Sequence, residues 1–128
     1  MAELAAIGIV TGDVAASARF YRSLGIDVPE PPGEEDHFEI TLPNGLRLMW
    51  DAESMMRQLD PEWRRPEGGT AIALAFECAS ATEVDDVYQR VVDGGFQGKK
   101  EPFDAVWGQR YATVVDPDGN AVDLFAAL

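Results

Sequence analysis

Val106-Trp107-Gly108-Gln109-Arg110-Tyr111-Ala112-Thr113-Val114-Val115-Asp116-Pro117-Asp118-Gly119-Asn120-Ala121-Val122-Asp123-Leu124-Phe125 reads as two strands closed by a tight turn. A fainter copy stands earlier, where His37-Phe38-Glu39-Ile40-Thr41-Leu42 and Leu46-Arg47-Leu48-Met49-Trp50-Asp51 flank Pro43-Asn44-Gly45. Aligning Gly45 with Gly119 sets an offset of about 74 residues, which places Tyr111 opposite His37 and Thr113 opposite Glu39. The repeat lies in element order more than in residue identity. A chain that writes one supersecondary unit twice predicts two halves facing each other across a cleft, and what lines that cleft decides the function.

The flanking segments extend the repeat. Residues 4–11 are β-branched and apolar, and Asp13 then offers an N-cap for a helix running from Val14 to Leu24 and stopping at Gly25. A Pro-rich loop, Pro29 to Pro32 with Gly33, carries acidic residues to Asp36. A short helix is expected over 52–59 and a connecting loop over 60–69. The second half opens with a strand at 71–78 and a capping box, Ser80-Ala81-Thr82-Glu83. Its helix continues through Val84, Val87, Tyr88, Val91 and Val92 to Gly94-Gly95. Phe96 to Phe103 reads as an irregular strand and loop, followed by strands at 107–115 and 120–126. The fold class is α+β, with each module packing a helix on one sheet face.

Composition narrows the function classes. The 128 residues fit one domain, and no apolar run approaches the roughly 20 residues that span a bilayer. The N-terminus lacks a signal-peptide pattern, so the expected location is cytoplasmic. The net charge of −13 argues against nucleic acid or an anionic membrane as partner, because both bind clustered Lys and Arg. It is compatible with attracting a cationic or electron-poor small molecule. Cys78, the single cysteine, sits in an apolar run without basic neighbours and reads as a small buried hydrophobe.

The order of strand, Asp-capped helix with Phe20-Tyr21, Leu24-Gly25, two hairpin strands and the ending Asp116-Pro117-Asp118-Gly119-Asn120 with Asp123-Leu124 resembles the vicinal oxygen chelate superfamily. That superfamily includes glyoxalases, extradiol dioxygenases and bleomycin-resistance proteins. The resemblance spans nearly the whole chain. It implies the glyoxalase/bleomycin-resistance fold: a single domain over 1–128 whose two tandem βαβββ modules, 1–60 and 70–128, form a curved-sheet cleft. Leu46 to Asp51, Asp60-Pro61-Glu62-Trp63 and Ala105 to Tyr111 look narrower still, similar to mitomycin-binding proteins that sequester antibiotics. In that group the planar drug lies between a histidine and a tryptophan, and the matching positions are His37 and Trp107. The resemblance also implies a homodimer with two clefts.

The superfamily's metal enzymes spread His and carboxylate ligands over both halves. The matching positions here are Ala6 and Ala73, and Asp123 alone keeps an oxygen donor, in a chain with one histidine. No metal and no cofactor are therefore expected. Strand alternation sets His37, Glu39 and Thr41 opposite Phe38, Ile40 and Leu42, with Glu39 as a possible orienting partner for the imidazole. The same alternation places Trp107, Gln109 and Tyr111 on one face, suited to stacking and hydrogen-bonding a flat molecule. Met49 and Asp51 share a face of their strand, and Leu48 and Trp50 share the other; alternation does not decide which pair meets the ligand. Asp51 would accept from amine or carbamate donors, while Met55, Trp63 and Phe103 would serve as apolar walls. Arg110, of opposite parity to Trp107, is expected at the surface or in a dimer contact. The expected activity is non-catalytic sequestration of a planar polycyclic antibiotic (mitomycin-, enediyne- or bleomycin-like) or a similar aromatic molecule. The alternative is a glyoxalase-like lyase or isomerase using His37 with Asp51 or Asp123.

Overall fold

The computed structural model describes residues 1–29, 36–68 and 72–128. Most of the Pro-rich loop, residues 30–35, and the expected start of the fourth strand at Ala71 lie outside the described residues. The element order is β1 (Ala6–Thr11), α1 (Val14–Ser23), β2 (His37–Thr41), β3 (Arg47–Ala52) and α2 (Glu53–Leu59). It continues with β4 (Leu74–Glu77), α3 (Ala81–Asp93), β5 (Gln97–Asp104), β6 (Gln109–Val115) and β7 (Ala121–Ala127). These form a three-stranded sheet, β1-β3-β2, and a four-stranded sheet, β4-β7-β6-β5. No helix among the described residues is long and apolar enough to cross a membrane.

Local chemistry explains the helices. The Asp13 carboxylate accepts the Ala16 N–H at 3.0 Å and opens α1, which closes at Gly25 with φ at +94°. Ser80 Oγ accepts the Glu83 N–H at 3.1 Å and opens α3. The return bond of this capping box shifts by one residue, because Glu83 Oε1 takes the N–H of Ala79, not that of Ser80.

The repeat seen in the sequence is a repeat of register. His37 pairs with Asp51, Phe38 with Trp50 and Glu39 with Met49 in the first hairpin. Tyr111 pairs with Phe125, Ala112 with Leu124 and Thr113 with Asp123 in the second, each shifted by the same offset. Because side chains alternate across a strand, one register sends both hairpins' apolar sets the same way. Phe38, Ile40, Leu48 and Trp50 are buried with Phe20 and Tyr21 of α1, and Phe38 and Trp50 stack at 4.5 Å. Ala112, Val114, Val122 and Leu124 are buried with Val84, Val87 and Val91 of α3. Trp50 is therefore core, and Asp51 lies on the other face. Truncating a side chain of this size in a packed core costs about 3–5 kcal/mol. Cys78 is buried, as its apolar setting predicts.

Two expectations change. The strand expected over 71–78 is ordered as β4 only over Leu74–Glu77. Trp107 is not in β6: it sits in the β5–β6 turn, where the Gly108 N–H reaches Ala105 O at 3.0 Å and Gly108 takes φ +92°. Arg110 lies partly exposed among surface carboxylates, with Nε 2.9 Å from Asp85 of α3 and Nη1 3.1 Å from Asp104.

The modules are tied at one corner. Tyr21 Oη donates to Asp116 Oδ2 at 2.7 Å, and the Gly12 N–H donates to Asp118 Oδ1 at 2.9 Å. Arg65 bridges Glu53 at the start of α2 to Asp118 of the β6–β7 turn. α1 and α3 touch each other.

Candidate functional site

On the helix-free face of the first sheet, β2 and β3 line up His37, Glu39 and Thr41 beside Arg47, Met49 and Asp51. Their order follows from alternation alone, once Phe38, Ile40, Leu48 and Trp50 are committed to the core. His37 stands opposite Asp51 in register, and its Nδ1 lies 2.5 Å from Asp51 Oδ1. Its Nε2 lies 3.2 Å from Glu39 Oε1. Glu39 Oε2 accepts in turn from Arg47 Nε at 2.8 Å and from Arg47 Nη2. The result is a chain of alternating charge, Asp51, His37, Glu39, Arg47, laid across the hairpin.

This chain biases the ring toward its protonated form. The hydrogen bond to Asp51 raises the His37 pKa above its ordinary 6.5; burial opposes it, and the bond to Glu39 adds to the rise. The Glu39 carboxyl is held low, first by its bonds to Arg47 and then by His37. A carboxylate at each nitrogen favours the protonated ring, the form that can donate at both edges. As a general base it would have to give up a proton that two carboxylates hold.

On the second sheet, Phe103, Trp107 and Tyr111 form an aromatic cluster. Trp107 meets Tyr111 edge to face at 5.5 Å and Phe103 at 6.3 Å, while Phe103 meets Tyr111 at 6.2 Å. The Trp107 Nε1–H donates to Gln109 Oε1 at 2.8 Å, although Trp107 remains 59% exposed. Its polar edge is thus satisfied while the indole stays open to solvent. Lys100 Nζ lies 4.5 Å from the centre of the Phe103 ring. Tyr111 Oη donates to Asp123 Oδ2 at 2.5 Å and Thr113 Oγ1 to Asp123 Oδ1 at 2.8 Å. Burial, then the bond to Asp123, pushes the Tyr111 phenol up to about 12.

Most of the expected ligand residues therefore fall into two clusters. His37, Asp51 and Met49 share the first face, and Trp107, Gln109, Tyr111 and Phe103 gather on the second. Met55 is half-buried on α2 and joins neither. Trp63 lies in the linker after α2, its ring 5.4 Å from the Arg57 guanidinium carbon. It lines a cavity of about 500 Å³ at the module joint, walled by Ile7, Ile9, Leu74 and Ala121. None of the other expected ligand residues lines that cavity.

Arg47 was missed by the sequence reading, yet its parity with Met49 and Asp51 places it on the His37 face. The Arg65–Glu53–Asp118 bridge had no comparable signal, since it joins three segments distant in sequence.

The metal positions implied by the fold do not fit a metal here. Ala6 and Ala73 offer no donor, and both Asp123 oxygens are committed to Tyr111 and Thr113. Among the described residues, no group of three His, Cys, Asp or Glu side chains is arranged to hold a metal ion.

The Glyoxalase/Bleomycin resistance protein/Dioxygenase superfamily model matches residues 3–124. The chain belongs to that superfamily. Its fold agrees with solved members of this superfamily: a family enzyme from Burkholderia phytofirmans superposes with a TM-score of 0.83 at 19% identity, covering 99% of this chain and all of the other. A glyoxalase-related enzyme from Fulvimarina pelagi gives 0.82 at 24% identity, over 98% of this chain and 88% of the other. At these identities the likeness shows the fold alone. CFP32 of Mycobacterium bovis, whose name gives it provisionally as a glyoxylase, is 32% identical over 124 residues. That match takes in 94% of this chain but 44% of CFP32, so this superfamily member spans less than half of its relative's length.

Proposed function

We propose that this superfamily member binds and sequesters a planar aromatic small molecule, such as a polycyclic antibiotic, without transforming it. The observation that carries the reading is Trp107, an indole 59% exposed with its N–H already bonded to Gln109. A soluble protein gains nothing from holding such a ring open to water, whereas a flat ligand stacked on it gains dispersion and about 0.5–1.5 kcal/mol beyond area burial. His37, fixed at both nitrogens, supplies a second flat surface on the other module. Met49, Asp51, Phe103, Gln109 and Tyr111 complete the set proposed to meet the ligand, while Met55 and Trp63 stand apart from both clusters. The working form is a homodimer with two clefts, located in the cytoplasm. Protection by sequestration follows mass action and needs protein at least equal in amount to drug.

A second reading is a glyoxalase-like lyase or isomerase, supported by the His37–Asp51 pair and by the name of the mycobacterial relative. One experiment separates the two. The purified protein is incubated with a tenfold excess of a planar polycyclic drug, which is then extracted and analysed by mass spectrometry. Sequestration returns the drug unchanged, with one equivalent held per site. Progressive conversion beyond one equivalent establishes the enzyme reading instead.

A further inference from the structure

The joint between the modules holds a cavity of about 500 Å³ that neither cluster uses. Ile7 and Ile9 of β1 wall it from the first module, and Leu74 of β4 and Ala121 of β7 from the second. β1 and β4 are edge strands of their own sheets and do not pair with each other, which leaves room between them. Trp63 adds an aromatic wall from the linker, with Arg57 seated over its ring at 5.4 Å. Among the described residues, the charged side chains of the wall are Arg65 and Asp118, and they pair with each other at 2.9 Å. Arg65 also binds Glu53, and Asp118 receives the Gly12 N–H. The Tyr21 hydroxyl and the Asn120 amide both donate to Asp116. These polar side chains are thus spent within the chain. Gly8 of β1 also lines the cavity and is exposed, on its open side. Its φ is not positive, and among the described residues a Cβ there would meet only the end of Met49, at 4.0 Å. Neither strain nor crowding calls for glycine at this position, and its bare backbone widens the opening.

We infer that this joint cavity binds a small, uncharged, mainly apolar molecule of one or two rings, at a site separate from Trp107. Its volume falls in the range of roughly 300–1,000 Å³ typical of small-molecule sites. A water molecule there needs about two to four polar partners, and the polar side chains of the wall already have theirs. An apolar ligand covers the remaining wall and takes its surface out of water. An ion would give up hydration without gaining a free counter-charge, because Arg65 and Asp118 would first have to separate. The site stands whether or not a ligand stacks on Trp107.

Naphthalene titrated into methyl-labelled protein and followed by NMR tests this, with naphthalene-2-sulfonate and 2-naphthylmethylammonium as charged counterparts. Naphthalene should shift the methyl signals of Ile7, Ile9 and Leu74 saturably, and both ions should bind at least about tenfold more weakly. Trp107→Ala should leave those shifts and their midpoint unchanged. Gly8→Leu puts a side chain at the opening of a strand that accepts one, so the methyl shifts should be lost at an unchanged or raised melting temperature. Trp63→Ala removes a wall that belongs to the linker and should weaken naphthalene binding about tenfold. The inference is overturned by methyl signals that do not move, by shifts that vanish in Trp107→Ala, or by ions that bind as tightly as naphthalene. Binding unchanged in Trp63→Ala, or in a folded Gly8→Leu, overturns it equally. Each of these outcomes except loss in Trp107→Ala is silent on the stacking surface, so the two sites are judged separately.

Discussion

Tyr21 of α1 and Asp116 at the head of the β6–β7 turn are joined by a buried hydrogen bond of 2.7 Å between the two modules. Asp116 also accepts the N–H groups of Asp118 at 2.9 Å and Asn120 at 2.8 Å, and the Asn120 side-chain amide at 2.8 Å. One carboxylate thus organises its own turn and receives the first module's helix. Burial, and then the charge of Asp116, raises the Tyr21 pKa far above its ordinary value, so the phenol stays a donor.

Tyr21→Phe removes only the inter-module bond and should cost about 1.5–3 kcal/mol, the usual worth of a hydrogen bond to a charged group. Asp116→Ala loses the turn's internal bonds as well and should cost more. Urea denaturation gives both values, and equal losses would show that the joint, not the turn's own bonds, is what matters.

Arg65 joins Glu53 to Asp118 across the same corner, and the Asp118 side chain is only 6% exposed. Arg65→Ala leaves Asp118 with the Gly12 N–H and a long contact to Ser17. Because the Arg65 side chain is 42% exposed, the loss should stay near 1 kcal/mol. A double-mutant cycle with Glu53→Ala measures the coupling directly.

His37 is the one histidine in the chain, so its ring resonances can be titrated by NMR without ambiguity. The midpoint should lie above 6.5, and Asp51→Asn should lower it, since Asp51 is the leading cause of the rise. A raised folded-state value stabilises the protein fully below the unfolded value and ceases to do so as pH rises through the folded one. Stability should therefore decline over that interval in the wild type and decline less in His37→Asn.

Zinc or magnesium added to chelator-treated protein should leave the melting temperature unchanged, because both Asp123 oxygens are already engaged. A shift of several degrees at stoichiometric metal would mean tight binding to the folded state and would reopen the enzyme reading.

The fold was largely legible because its signals are local. Asp13 and Ser80 cap their helices, Gly45 and Gly119 mark the turns, and strict alternation in β2 and β6 separates core from open face. Alternation could not choose between Trp50 and Asp51, since both faces of β3 carry large side chains; α1, by packing on one face, made the choice. Alternation also joined Trp107 to Tyr111 for the wrong reason. Trp107 reaches the cluster from a turn, through its bond to Gln109. The Asp51 and Glu39 partners of His37 follow from register and parity. Tyr21–Asp116 and the Arg65 bridge do not, because contacts between modules leave no period in a sequence.

The central claim is that a flat ligand stacks on Trp107. Calorimetric titration of wild type and Trp107→Ala with one planar polycyclic drug tests it most directly. Losing this stacking surface should weaken binding by about 2 kcal/mol, roughly thirtyfold in Kd, while the unfolding midpoint stays unchanged. An unaltered Kd in Trp107→Ala would contradict the account.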